Sequence, residues 1–138
     1  MRIANRRAPD ALAHFRLWRA LGWIMVVAIV AMTLAPPPEI LRELDFNDKL
    51  GHFATYSVLM LWFAQLYASR QTKIWHGVFF VALGIGLEFC QGALGYRSFE
   101  YADMVANTLG VGAGALLAAT DRFSFLFPLD RALAAARG

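Results

Sequence analysis

Nine polar residues in three separate stretches have the types and spacing to form one site. Asp48, His52 and Tyr56 follow at intervals of four, so a helix puts them on one face, with Lys49 alongside. Glu88 and Gln91 form a second pair, Asp103 and Asn107 a third, and Arg97 lies between the last two pairs. Read as a binding set, Arg97, Lys49 and His52 meet a phosphate or carboxylate, while Tyr56, Gln91 and Asn107 supply hydrogen bonds. Read as a catalytic set, His52 is the general acid or base, Glu88 or Asp103 orients it, and Arg97 stabilises developing charge. No Gly-x-Ser-x-Gly or His-Glu-x-x-His signature accompanies them. A metal held by His52, Asp103 and Glu88 is a weaker variant, because one histidine is thin for zinc. No metal or other cofactor is therefore expected. The third reading is structural: Asp48 caps a helix, Asn107 links helices, and the whole set pins a bundle together.

These residues are set in apolar surroundings. The 138 residues are 59% hydrophobic and 17% charged, against about 45–50% and about 25% in a soluble domain. Residues 20–38, 50–69 and 104–120 carry no charge, and residues 74–96 carry only Glu88. A bilayer-spanning helix needs about 20 mostly apolar residues. The pattern predicts an all-α polytopic membrane protein: one domain, 1–138, of four transmembrane helices in a compact antiparallel bundle. The spans fall at about 17–35, 50–68, 74–94 and 102–119. A soluble bundle with four such stretches buried would be left with too little polar surface.

Basic residues collect in loops that stay in the cytoplasm. Arg2, Arg6, Arg7, Arg16 and Arg19 precede the first span, Arg70 and Lys73 lie between the second and third, and Arg122, Arg131 and Arg137 follow the fourth. The opposite loops hold only Arg42, Lys49 and Arg97. Both termini are thus expected in the cytoplasm, and the net charge of +3 is a topology signal rather than a sign of nucleic-acid binding. This orientation brings the outer end of the second span, the outer end of the third and the start of the fourth to one depth. Glu88, about 21 Å along its helix from Ile74, falls in the outer half of the bilayer and is expected to pair with Arg97 or Lys49.

Between these landmarks the chain is punctuated. Pro36-Pro37-Pro38 ends the first span, and a signal peptide is disfavoured because the stretch before it lacks a small-residue cleavage site. Trp18 and Trp23 suit the headgroup level. The acidic loop 36–49 is a surface helix or a solvated linker, and Ser69 to Lys73 forms a tight turn. Ala102, Ala106, Gly110, Gly114 and Ala118 form a small-residue ribbon for packing within the chain or, through Gly110 and Gly114, between copies in a homo-oligomer. The tail from Phe123 reads as a short interfacial helix or a frayed end. The single Cys90 excludes an internal disulfide, and packing is a better role for it than nucleophilic pairing with His52.

The ordered set Asp48-Lys49-x-x-His52-Phe53-x-x-Tyr56, Glu88-x-x-Gln91, Arg97-Ser98 and Asp103-x-x-x-Asn107-x-x-Gly110 resembles the VanZ-like family over residues 48 to about 114. It departs from the common pattern in having no proline just before Arg97. The resemblance implies a small integral protein of the bacterial inner membrane, related to a protein of glycopeptide (teicoplanin) tolerance, and it implies no reaction. The partners it suggests are a membrane lipid headgroup, a lipid-linked cell-envelope precursor or an amphiphilic antibiotic. A transporter fits poorly, since polarity at one end of four spans opens no through path.

Overall fold

A computed structural model describes residues 12–36, 48–95 and 98–136. All regular structure among these residues is helical. The elements are α1 (Phe15–Leu34), α2 (Asp48–Leu66), α3 (Arg70–Leu94), α4 (Tyr101–Ala118), a 3-10 turn (Asp121–Phe123) and α5 (Leu126–Ala135). The segments 1–11 and 37–47 and the loop pair Tyr96 and Arg97 lie outside the described residues, and with them the expectations placed on the acidic loop and on Arg97.

The helix ends follow from local chemistry. Ala35 is extended at ψ 150°, as the residue before a proline is driven to be, so α1 stops one residue earlier. Ser69 caps α3, its side chain accepting from the Thr72 amide. That cap starts α3 at Arg70, four residues before the expected Ile74, and shrinks the expected 69–73 turn to residues 67–69. Gly95 closes α3 at φ +77°, a conformation cheap only for glycine.

α4 lies against α2 more closely than any other pair. A Cβ at Gly110 would collide with the Phe53 carbonyl oxygen, and one at Gly114 with that of Ser57. Both glycines therefore pack within the chain, the first of the two uses expected for this face. As the contact moves from Phe53 to Ser57 it moves from Gly110 to Gly114, so α2 and α4 run parallel. α3 runs against them, with Gly84 on Asn107 and Gly77 on Val111. α1 packs Gly22 onto Trp62 and Phe63 of α2. At the core, Phe63 and Phe80 are fully buried, ring centroids 5.1 Å apart, with Leu59, Met60 and Leu66 around them.

The outside of the bundle is apolar. α4 presents Val105, Leu109 and Leu116 at 57%, 60% and 73% exposure, and Ile74, Trp75, Val78 and Phe89 do the same for α3. Among the described residues two helices, α1 and α3, are long and apolar enough to cross a bilayer.

α5 is a formed helix tied to the start of α1, not a frayed end. Its Asp130 accepts hydrogen bonds from the amides of Ala13 (2.6 Å) and His14 (3.0 Å) and from Trp18 Nε1 (2.9 Å), and it pairs with His14 Nδ1 at 2.9 Å. Trp18 is accordingly buried and is not a headgroup anchor. Gln65 Oε1 fastens the same end, accepting from the amides of Phe125 and Leu126. Cys90 is exposed and packs into no interior.

Candidate functional site

The start of α2, the end of α3 and the start of α4 meet at the end of the bundle opposite Asp130. Four polar side chains are almost fully buried there: Glu88 and Gln91 at 1% exposure, Asp103 and Asn107 at 2%. Tyr56 is buried beside them, within electrostatic reach of Glu88. A polar group withdrawn from water this far is costly unless it is paired.

His52 is the hub. Its Nδ1 lies 3.0 Å from Asn107 Oδ1. Its Nε2 faces two carboxylates, Asp103 Oδ2 at 3.7 Å and Asp48 Oδ2 at 3.9 Å. Lys49 Nζ donates to Glu100 Oε2 at 2.7 Å and stands 3.7 Å from Asp103 Oδ1. Its hydrogen bond to Glu100 holds the Lys49 ammonium above the ordinary lysine range, and the same bond holds the Glu100 carboxyl below the ordinary range. Asp103 feels His52, Asp48, Glu88 and Lys49 at once, so these groups form one electrostatic unit.

Of the two cations expected beside Glu88, Lys49 is not its partner, and Arg97 lies outside the described residues. Lys49 is committed to Glu100, and Glu88 Oε1 accepts from the Glu100 backbone amide at 2.7 Å. Glu100 is the N-cap residue of α4 and makes no side-chain cap of its own, so the Glu88 carboxylate does the capping from α3. Two oxygens are left over. Glu88 Oε2 and Asp103 Oδ1 are buried without a hydrogen-bond partner among the described residues.

Gln91 points the other way. Its Nε2 donates to the Thr33 carbonyl on α1 at 3.1 Å. In an unbroken helix that carbonyl would take the amide of residue 37, and Pro37 has none. Gln91 supplies the missing donor.

Eight of the nine expected residues thus gather at one end, and Arg97 lies outside the described residues. Of the two acids expected to orient His52, Asp103 stands beside it, and Asp48 takes the place open to Glu88. Sequence reasoning missed Glu100. Its signal was available: an acid directly before a helix start, with Lys49 needing an anion. Within the described residues the cluster counts four carboxylates, Asp48, Glu88, Glu100 and Asp103, against Lys49 and the titratable His52, so it is acid-rich.

A family model described as VanZ/LLP1 matches residues 11–123, which takes in all nine positions. The chain belongs to the VanZ/LLP1 family. It is 34% identical over 108 residues to a Schizosaccharomyces pombe relative, uncharacterized protein C11E3.10, across 75% of this chain and 65% of that protein. No solved structure matches it.

Proposed function

We propose that this VanZ/LLP1 protein is a four-span membrane protein whose polar end binds the head of an amphiphile, on the face of the membrane away from both termini. The observation that carries the reading is the pair of buried carboxylate oxygens, on Glu88 and Asp103, that no donor among the described residues satisfies. Acceptors held dry and unpaired favour a head that brings its own donors, such as amines or sugar hydroxyls. Membrane lipids, lipid-linked envelope precursors and lipoglycopeptide antibiotics all join such a head to a tail.

The setting supports this. An apolar groove of about 470 Å³ runs along α3, lined by Ile74, Gly77, Val78, Val81, Ala82 and Ile85 with Val111 of α4. Ile85 lies one turn before Glu88, and Val111 one turn after Asn107, so the groove leads up to the polar cluster. A tail in the groove would place its head at the unpaired acids. The distribution of arginine and lysine around the helices supports both termini lying on the cytoplasmic side.

Native mass spectrometry of the purified protein tests the reading. Wild type is expected to retain one amphiphile with a donor-rich head, and Glu88→Gln to lose it while staying folded. Equal retention by both proteins, or only bulk lipid on each, would overturn it.

A further inference from the structure

We propose that the Asp130 end of the bundle is a docking surface for the phosphates of anionic membrane lipids. Five exposed arginines ring that end: Arg16 and Arg19 in the first turns of α1, Arg70 at the start of α3, Arg122 in the 3-10 turn and Arg131 on α5. No described carboxylate pairs with any of them. Asp130 cannot serve them, because two amides, an indole and an imidazole already occupy its oxygens. Cations are also in excess whatever Asp121 does: over residues 12–35, 66–75 and 119–136 the chain sets six of them against Asp121 and Asp130 alone. The opposite end treats its exposed cation differently, tying Lys49 to Glu100 at 2.7 Å.

Tryptophan marks the depth at which these arginines stand. Trp23 follows Arg19 by four residues and Trp75 follows Arg70 by five, about 6–8 Å further along each helix. The two rings are 41% and 62% exposed. Trp18 and Trp62 spend their indole N–H groups inside the chain, on Asp130 and on the Trp18 carbonyl. Those of Trp23 and Trp75 have no acceptor among the described residues, which suits a ring whose body lies in acyl chains and whose N–H meets lipid carbonyls. Phe123 beside Arg122 and Leu129 near Arg131 are exposed as well. Guanidinium groups at the rim with apolar rings one turn deeper match the layers of a leaflet, phosphate outside and tails within. A nucleic acid would engage the arginines and leave the exposed rings uncovered. The guanidinium fork also fits two phosphate oxygens at once.

The inference rests on the membrane-spanning part of the reading above and is independent of the amphiphile at Glu88. Arginines that only record topology would show no preference among lipids once the protein is purified.

The full chain is placed in nanodiscs of equal parts dioleoylphosphatidylcholine and dioleoylphosphatidylmethanol, and the lipids it keeps on release are counted by native mass spectrometry. Neither head carries a hydrogen-bond donor, so neither suits the acceptors on Glu88 and Asp103; the two differ in net charge. Wild type is expected to keep the anionic lipid over the zwitterionic one at least about threefold. Added salt should lower that ratio, because exposed charges are screened. Arg70→Gln, Arg122→Gln and Arg131→Gln combined should bring the ratio close to one with the melting temperature unchanged. The same three positions changed to lysine should keep most of the preference. Glu88→Gln should keep it while losing the amphiphile, so the two readings fail separately. Equal retention of both lipids by wild type, or an undiminished preference in the folded glutamine variant, would overturn the proposal.

Discussion

Asp130 and Asp103 are both 2% exposed, and the protein treats them in opposite ways. Around Asp130 every approach is a hydrogen bond of 2.6–3.0 Å, drawn from two backbone amides, an indole and an imidazole. Around Asp103 the nearest cationic or imidazole nitrogens among the described residues stand at 3.7 Å, and one oxygen has no hydrogen-bond partner there. The two clusters lie at opposite ends of α2, roughly 27 Å apart. A polar network whose only task is to hold helices together saturates its acceptors, because each unsatisfied buried group costs about 1–3 kcal/mol. The Asp130 cluster meets that standard and the Asp103 cluster does not, which argues against a purely structural role for the latter.

Mutations at the two ends should therefore behave differently. The largest effect is expected for Asp130→Ala, which leaves the Ala13 and His14 amides and the Trp18 indole without their acceptor. A loss of about 3 kcal/mol or more in a denaturation assay, with amphiphile retention intact in the folded fraction, would bear the comparison out. Next comes Gly110→Ala, which forces α4 away from the Phe53 carbonyl and should cost about 1–3 kcal/mol while also disturbing the cluster, so stability and retention fall together. Glu88→Gln should do the reverse of Asp130→Ala. The amide oxygen still caps Glu100 and the unpaired charge is gone, so thermal stability should hold or rise while retention is lost. A marked fall in stability would make the two ends alike and the comparison empty.

The smallest effect is one of pH. Burial alone would push the Asp130 carboxyl up, but the hydrogen bonds from Trp18, Ala13 and His14 outweigh it and hold the group below the ordinary carboxylate range. A group depressed in the folded state adds stability that is fully present above its unfolded value, about 3.9, and lost as pH falls through the folded value. The gap in melting temperature between wild type and Asp130→Asn should accordingly be constant from neutral pH to about 5 and close below pH 4.

Much of this arrangement could be read in advance. The nearly charge-free windows locate α1 to α4, Pro36 explains where α1 stops, and the four-residue spacings place Asp48, His52, Asp103 and Asn107 on facing helix surfaces. What escaped has a common physical cause. Asp130 meets Trp18 and His14 across more than 110 residues, and no local pattern announces such a partner. The choice of Glu100 over Glu88 by Lys49 depends on how a short loop folds back, which composition does not encode. Ser69 was readable as a cap, yet the charged residues after it looked like a turn.

Gln91 joins the two halves of the molecule. Its amide substitutes for the hydrogen that Pro37 cannot offer, so the far end of α1 is fastened to the helix that carries Glu88 three residues away. Sliding α1 along the bundle would strand the Thr33 carbonyl with no replacement donor. The first helix and the floor of the pocket must consequently shift together or stay put.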